Sequence, residues 1–208
     1  DQSRMVLMGI YLRENGEVIA INGSIGSRQR LEIELHEPMN ILGQCFLDLF
    51  SMIEDEDTLK MSLGHNIVLF EFGNNLISIS TLAGLFPSVD QIFQFEPTLE
   101  IVVDRKKLIG LLKQTLIFTS VSTGNKLDFD ATKDLIRFEH TASEDNYSGE
   151  IATIEGAGEP VKVGLNNQYL LDVLNVLDED RITMVLQSDV KPVLIKVDNF
   201  QQVLMAMV

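Results

Sequence analysis

Catalysis needs nucleophiles, titratable pairs, metal ligands or phosphate cradles, and this 208-residue chain offers few of them. Its three histidines, His36, His65 and His140, fall before a helix, in a tight turn and in a loop, none with a second ligand at metal spacing. His36-Glu37 is not followed by the x-x-His that completes a zinc-protease helix. The single cysteine, Cys45, excludes an internal disulfide and the CxxC type of zinc site. It lies on an apolar helical stripe with no neighbouring cation to lower its pKa, which reads as a packed thiol rather than a nucleophile. The acidic runs Glu54-Asp-Glu-Asp57 and Asp178-Glu-Asp180 invite a divalent-metal reading. Both, however, follow a helix end and lack the glycine-containing calcium-loop pattern, so solvated turns are expected. Gly23-Ser-Ile-Gly26 lacks the spacing of a phosphate-binding loop and reads as a loop between strands. These residues point to no catalytic site, no metal and no cofactor.

Clustered positive charge is the one pattern with a task in view. Arg105, Lys106 and Lys107 are consecutive, and Lys113 shares a helix face with Lys106, with Gly110 between them. Three cations in a first helical turn oppose the helix dipole. The residues alone fit either a solvated face or a surface that meets phosphates.

The elements that would carry these groups are mostly strands. Met5–Leu12 and Glu17–Ile21 flank Asn15-Gly16, the strongest short hairpin signal. Arg30–Leu35 alternates Leu31, Ile33 and Leu35 with Glu32 and Glu34, which predicts a strand. Leu59–Leu63, Ile67–Phe72 and Leu76–Leu82 predict a meander with turns at Gly64-His65-Asn66 and Gly73-Asn74-Asn75. Three helices are predicted: from about Pro38 to Ile53, from Arg105 to about Phe118 with Asp104 as N-cap, and from about Asn167 to Leu177.

An internal repeat organises them. Phe46-Leu-Asp-Leu-Phe-Ser-Met-Ile-Glu-Asp-Glu matches Leu170-Leu-Asp-Val-Leu-Asn-Val-Leu-Asp-Glu-Asp, so that Asp48 aligns with Asp172. After one extra residue, Leu59-Lys-Met-Ser-Leu matches Ile182-Thr-Met-Val-Leu. Upstream, Ile10, Leu12, Val18, Ile19 and Ile21 match Leu127, Phe129, Leu135, Ile136 and Phe138. The separation, roughly 124 residues, is one domain's length and too long for a solenoid repeat. Two similar domains in tandem follow, with a boundary near Phe95–Pro97. The second copy opens with a strand, Leu99–Val103, and the helix from Arg105, which the first copy lacks. The chain is therefore expected to begin inside its first domain.

Composition narrows the class further. Sixteen Lys and Arg against 31 Asp and Glu give a net charge of −15, which excludes a globally basic nucleic-acid binder but not a locally basic face. A hydrophobic share of 45% argues against disorder. No apolar run approaches the ~20 residues that span a bilayer, and the first residues lack a signal peptide's basic-then-apolar build. A cytoplasmic protein in a reducing compartment is the simplest expectation.

The segment Val163-Gly-Leu-Asn-Asn-Gln-Tyr-Leu-Leu-Asp-Val-Leu-Asn-Val-Leu177 resembles the G-F-N-x-x-Y-h-L-D-x-L stretch (h apolar) of the bacterial DNA polymerase III beta subunit, the sliding-clamp family. Lys191-Pro-Val-Leu-Ile195 is similar to the family's R-P-h-h-I strand, Val203-Leu-Met-Ala-Met207 to its V-x-M-P-M end, and Leu82-Ala-Gly-Leu-Phe-Pro87 to its L-x-D-G-x-F/Y-P segment. The resemblance implies an α+β fold of tandem DNA-clamp domains, each with antiparallel sheets packed against two helices. Residues 1–95 would be a partial middle domain and 96–208 the C-terminal one. It implies a processivity factor without its own catalytic site, which encircles duplex DNA without sequence specificity. DNA polymerase and clamp-loader subunits would dock through short clamp-binding peptides, and the full-length form would be a ring-shaped homodimer.

By position, the peptide pocket implied by the resemblance includes Ile21, Gly23, Pro87, Ile92, Asn166, Tyr169, Val190, Pro192, Val203, Leu204, Met205, Ala206 and Met207. Arg105, Lys106, Lys107 and Lys113 would face DNA. The family's T-D-x-H-R-L motif reads Ile21-Asn-Gly-Ser-Ile-Gly26 here, without its His-Arg pair, and Ala206 stands where the family has proline. This chain by itself is expected to be a monomer or to self-associate weakly. The alternative is a divergent clamp-fold interaction module that does not encircle DNA.

Overall fold

The computed structural model describes residues 5–54, 58–117, 125–141 and 146–207. They divide into two compact units: residues up to 22 together with 28–88, and residues 23–27 together with those from 89 onward.

The first unit starts with the hairpin of β1 (Gly9–Leu12) and β2 (Glu17–Ile21). The Arg13 N–H meets the Glu17 carbonyl at 2.8 Å, and the turn puts Gly16 at a φ of +82°. That conformation is nearly free for glycine. The carbonyls of Leu31 and Ile33 also close on it, each 2.5 Å from where a Cβ would sit. β3 (Ile25–Arg30) and β4 (Met39–Leu42) complete the sheet in the order β3-β2-β1-β4. Helix α1 (Gly43–Phe50) follows. The strands β5 (Lys60–Gly64), β6 (Ile67–Phe72) and β7 (Asn75–Ser80) form an antiparallel meander. Their turns use Asn66 and Gly73 at positive φ. Leu12, Met39, Ile41, Leu49, Val68, Phe70 and Phe72 make the core.

The second unit contains β8 (Leu99–Asp104), α2 (Arg105–Thr115), β9 (Lys126–Ala131), β10 (Leu135–Thr141), β11 (Asn146–Ala152), β12 (Glu155–Gly158) and β13 (Val161–Asn166). Then come α3 (Asn167–Val176), β14 (Arg181–Leu186), β15 (Val193–Val197) and β16 (Phe200–Leu204). Its sheets run β11-β10-β9-β13 and β12-β8-β14-β15-β16. Asp104 caps α2, accepting from the Lys107 N–H at 2.9 Å. Both sheets and both helices feed one core, which includes Ile101, Leu108, Leu112, Phe129, Phe138, Leu170, Leu174 and Met184.

The repeat is structural as well as sequential. The orders β3-β2-β1-β4 and β11-β10-β9-β13 correspond, as do α1 and α3, and the β5–β7 and β14–β16 meanders. Gln44 donates to Asp48 at 3.0 Å in α1, and Gln168 donates to Asp172 at 2.7 Å at the same place in α3. The strands β8 and β12 have no counterpart among the described residues of the first unit, and of a helix ahead of β1 only Met5 and Val6 are described. The paired helices differ in burial. Leu171 and Leu174 are 5% and 0% exposed, whereas their equivalents Leu47 and Phe50 are 65% and 64% exposed.

Three local expectations are corrected. The first helix does not begin near Pro38, because Met39–Leu42 pairs with β1 as a strand and the helix spans only Gly43–Phe50. Residues 31–35 are not a strand; the Leu31 and Leu35 N–H groups bond the Gly16 and Glu14 carbonyls and wrap the hairpin tip. The segment after Gly23 is not simply a loop, since Ile25 opens β3.

Candidate functional site

The C-terminal segment of the second unit is held by backbone bonds at alternate residues. The Met205 N–H donates to the Ser24 carbonyl at 2.9 Å, and the Met207 N–H to the Gly164 carbonyl at 2.8 Å. Gly164 is required there: a Cβ would lie 2.5 Å from the Met207 carbonyl oxygen and 2.5 Å from Lys126 Cε. Two residues further along β13, Asn166 caps α3 by accepting from the Tyr169 N–H at 3.0 Å. Asn166 thus has a structural task. The Tyr169 side chain is exposed, and its hydroxyl has no hydrogen bond among the described residues.

Of the other expected pocket residues, Val190 and Met205 are exposed, Ile92 lies on a single 3-10 turn (Asp90–Phe93), and Pro192, Ala206 and Met207 are half-buried. Val203 and Leu204 are buried and leave the exposed wall to their neighbours. Gly23 is exposed with open space where a Cβ would be. All of these belong to the second unit, whereas half-buried Ile21 and exposed Pro87 belong to the first.

The expected DNA-facing cations do not behave alike. Arg105 is committed to the fold. Its Nε donates to the Glu179 carbonyl at 2.6 Å, Nη1 to the Leu174 carbonyl at 2.9 Å and Nη2 to the Asp178 carbonyl at 3.3 Å. It therefore closes the C-terminal end of α3. Lys106 pairs with Asp180 at 2.7 Å, with both side chains exposed. The hydrogen bond from Lys106, then its charge, holds the Asp180 carboxyl below its ordinary value. Lys107 and Lys113 are exposed and form no ion pair among the described residues. Helices α1 and α3 carry no Lys or Arg, and each exposes an aspartate, Asp48 and Asp172. Sequence reasoning missed the Arg105 clasp because its acceptors lie 69 to 74 residues away.

His36 and His65 are exposed, and the His140 side chain lies outside the described residues, as do positions 55–57 of the first acidic run. Cys45 is half-buried against the first unit's core. Among the described residues, no group of three His, Cys, Asp or Glu side chains is placed to hold a metal ion. No helix of the described residues is long and apolar enough to cross a membrane.

Tandem α+β units, each with antiparallel sheets carrying helices, define the class of fold. The DNA polymerase III beta subunit, C-terminal domain, matches residues 90–208, and the chain belongs to that family. The beta sliding clamp of Chlamydia pneumoniae is 22% identical over 199 residues, which is 92% of this chain and 54% of that protein. The beta sliding clamp of Synechococcus elongatus is 21% identical over 207 residues, or 94% of this chain and 55% of that protein. The chain thus spans about half the length of the curated relatives it matches. Among solved structures, the DNA polymerase sliding clamp from Bacillus subtilis matches with a TM-score of 0.92 at 18% identity, covering 100% of this chain and 58% of that one. The DNA polymerase III subunit beta from Pseudomonas aeruginosa matches at 0.90 and 20% identity, covering 99% and 59%. At these identities the structures speak for the fold.

Proposed function

We propose that this chain is the middle part and C-terminal domain of a DNA sliding clamp, acting in the cytoplasm as a processivity factor with no catalytic site of its own. Residues 1–95 are the partial middle domain and 96–208 the C-terminal domain. The observation that carries the reading is the family match over residues 90–208, the same stretch that holds exposed Tyr169, Val190 and Met205 and half-buried Met207. Methionine adapts to irregular apolar partners, and a tyrosine hydroxyl with no hydrogen bond among the described residues offers one polar anchor. Polymerase and clamp-loader subunits would dock there through short apolar peptides. In the full-length form, a homodimeric ring would hold duplex DNA by encirclement.

The charge distribution favours weak direct contact with DNA. With Arg105 committed and Lys106 paired, Lys107 and Lys113 remain as the cations of α2 without an ion pair among the described residues, so open-form affinity would be low and salt-sensitive. Such a surface suits sliding, where persistence comes from topology. The same observation supports the second reading, an interaction module that binds peptides without encircling DNA.

The test is titration with a pentapeptide carrying Leu and Phe near its end, read by methionine-methyl NMR. Saturable shifts at Met205 and Met207, with buried Met184 unmoved, are expected. Absence of shifts at high micromolar peptide would overturn the docking part.

A further inference from the structure

A cleft of about 400 Å³ opens on the β9–β13 face of the second unit. It shares Val190 and Met207 with the docking wall, and continues beyond them over Val163 and Gly164. Its polar rim is of mixed charge but unequal. Lys162 pairs with Asp130 at 2.8 Å and Lys126 with Asp128 at 3.6 Å. Glu139 and Asp189 complete the rim and form no ion pair among the described residues. Two acidic charges are therefore left over at neutral pH.

We propose that this cleft receives a basic side chain flanking the apolar core of a docking peptide. The inference rests on the docking reading above and names the partner's chemistry. Continuity through Val190 and Met207 places the cleft next to an apolar core seated on that wall. The excess of acid at Glu139 and Asp189 selects a cation over an anion. A long Lys or Arg stem also suits the cleft, because its methylenes can lie against exposed Val190 and half-buried Met207 while its head reaches the rim. The Asp130–Lys162 and Asp128–Lys126 pairs oppose an acidic flank by no more than they oppose a basic one, and Glu139 acts on Lys162 from further away, so the net excess of two carboxylates on the rim decides the sign.

The experiment compares one apolar pentapeptide core alone with the same core carrying Arg or Glu at either end, by fluorescence anisotropy at low and high salt. One of the two Arg peptides is expected to bind about threefold to tenfold tighter than its Glu counterpart at low salt. The Glu139→Gln/Asp189→Asn double variant should abolish that ratio and leave the Kd of the bare core unchanged. Because both side chains are exposed, the unchanged core Kd also reports an intact fold; Asp189→Asn alone, in an exposed turn, should lower the ratio by a smaller factor. A ratio near one, or the same ratio in parent and double variant, would overturn the proposal and assign any preference to the chain's net charge of −15. A bare core that fails to bind the parent would overturn the docking reading and this proposal together, whereas a core that binds with no flank preference overturns this proposal alone.

Discussion

Replacing Arg105 separates a folding role from a DNA role. Its guanidinium spans the carbonyls of Leu174, Asp178 and Glu179, two of them at 2.9 Å or less. A hydrogen bond from a charged donor contributes about 1.5–3 kcal/mol, and a cation at a helix C-terminus adds about 0.3–1 kcal/mol. Water reaches the part-exposed carbonyls once the side chain is gone, so Arg105→Gln should cost about 2–3 kcal/mol rather than the full sum. For a chain of this size that lowers Tm by roughly 5–10 °C. Arg105→Lys keeps the charge but not the fork, and one nitrogen cannot stand where three separate guanidinium nitrogens each meet a carbonyl. It should recover less than half of the loss. Urea denaturation followed by circular dichroism measures both variants. If Arg105→Lys is as stable as the parent, the three-carbonyl clasp is not what holds this end of α3, and the reasoning fails.

The repeat makes a paired prediction. Leu171→Ala should cost about 2–5 kcal/mol as a cavity in a packed core, while Leu47→Ala, at the equivalent but exposed position, should stay within about 0.5 kcal/mol; equal losses in urea titrations would contradict the contrast. Asn167 is fully buried and donates to the Leu112 carbonyl at 3.2 Å and to Thr115 Oγ1 at 2.5 Å, tying α3 to α2. Asn167→Ala should therefore cost about 1–3 kcal/mol, visible as a lower urea midpoint. Asp180 is held below its ordinary value of 3.8 by Lys106, so the pair's contribution to folding is present above that value and disappears as pH falls through the lowered one. Carboxyl NMR should show the Asp180 midpoint rising towards its ordinary value in Lys106→Gln, and an unmoved midpoint would refute the pairing.

Local signals were legible where one residue type decides the backbone. Asn15-Gly16 announced its hairpin because the turn needs positive φ, and Asp104 announced α2 because a free carboxylate satisfies an orphan N–H. The duplication was legible from Asp48 and Asp172, and the structure adds the paired Gln44 and Gln168 bonds. Met39–Leu42 misled because a four-residue strand with three buried positions shows no alternation, and its apolar residues merge with the stripe of the helix that follows. Residues 31–35 misled in the opposite way: Ile33 and Leu35 pack against the core, but the backbone bonds the hairpin tip instead of a ladder. The Arg105 clasp could not be read from its neighbours, since its three carbonyl acceptors come to it only by the tertiary approach of the end of α3.

The clamp role is tested most directly by topology. The protein as its cell makes it would be loaded by its clamp loader onto nicked circular DNA, and retention followed before and after the circle is cut to a linear form. The account predicts retention on the circle and rapid loss once ends exist, at a salt concentration that abolishes simple phosphate contacts. Equal behaviour on circular and linear DNA would contradict encirclement and leave peptide docking as the function of this fold.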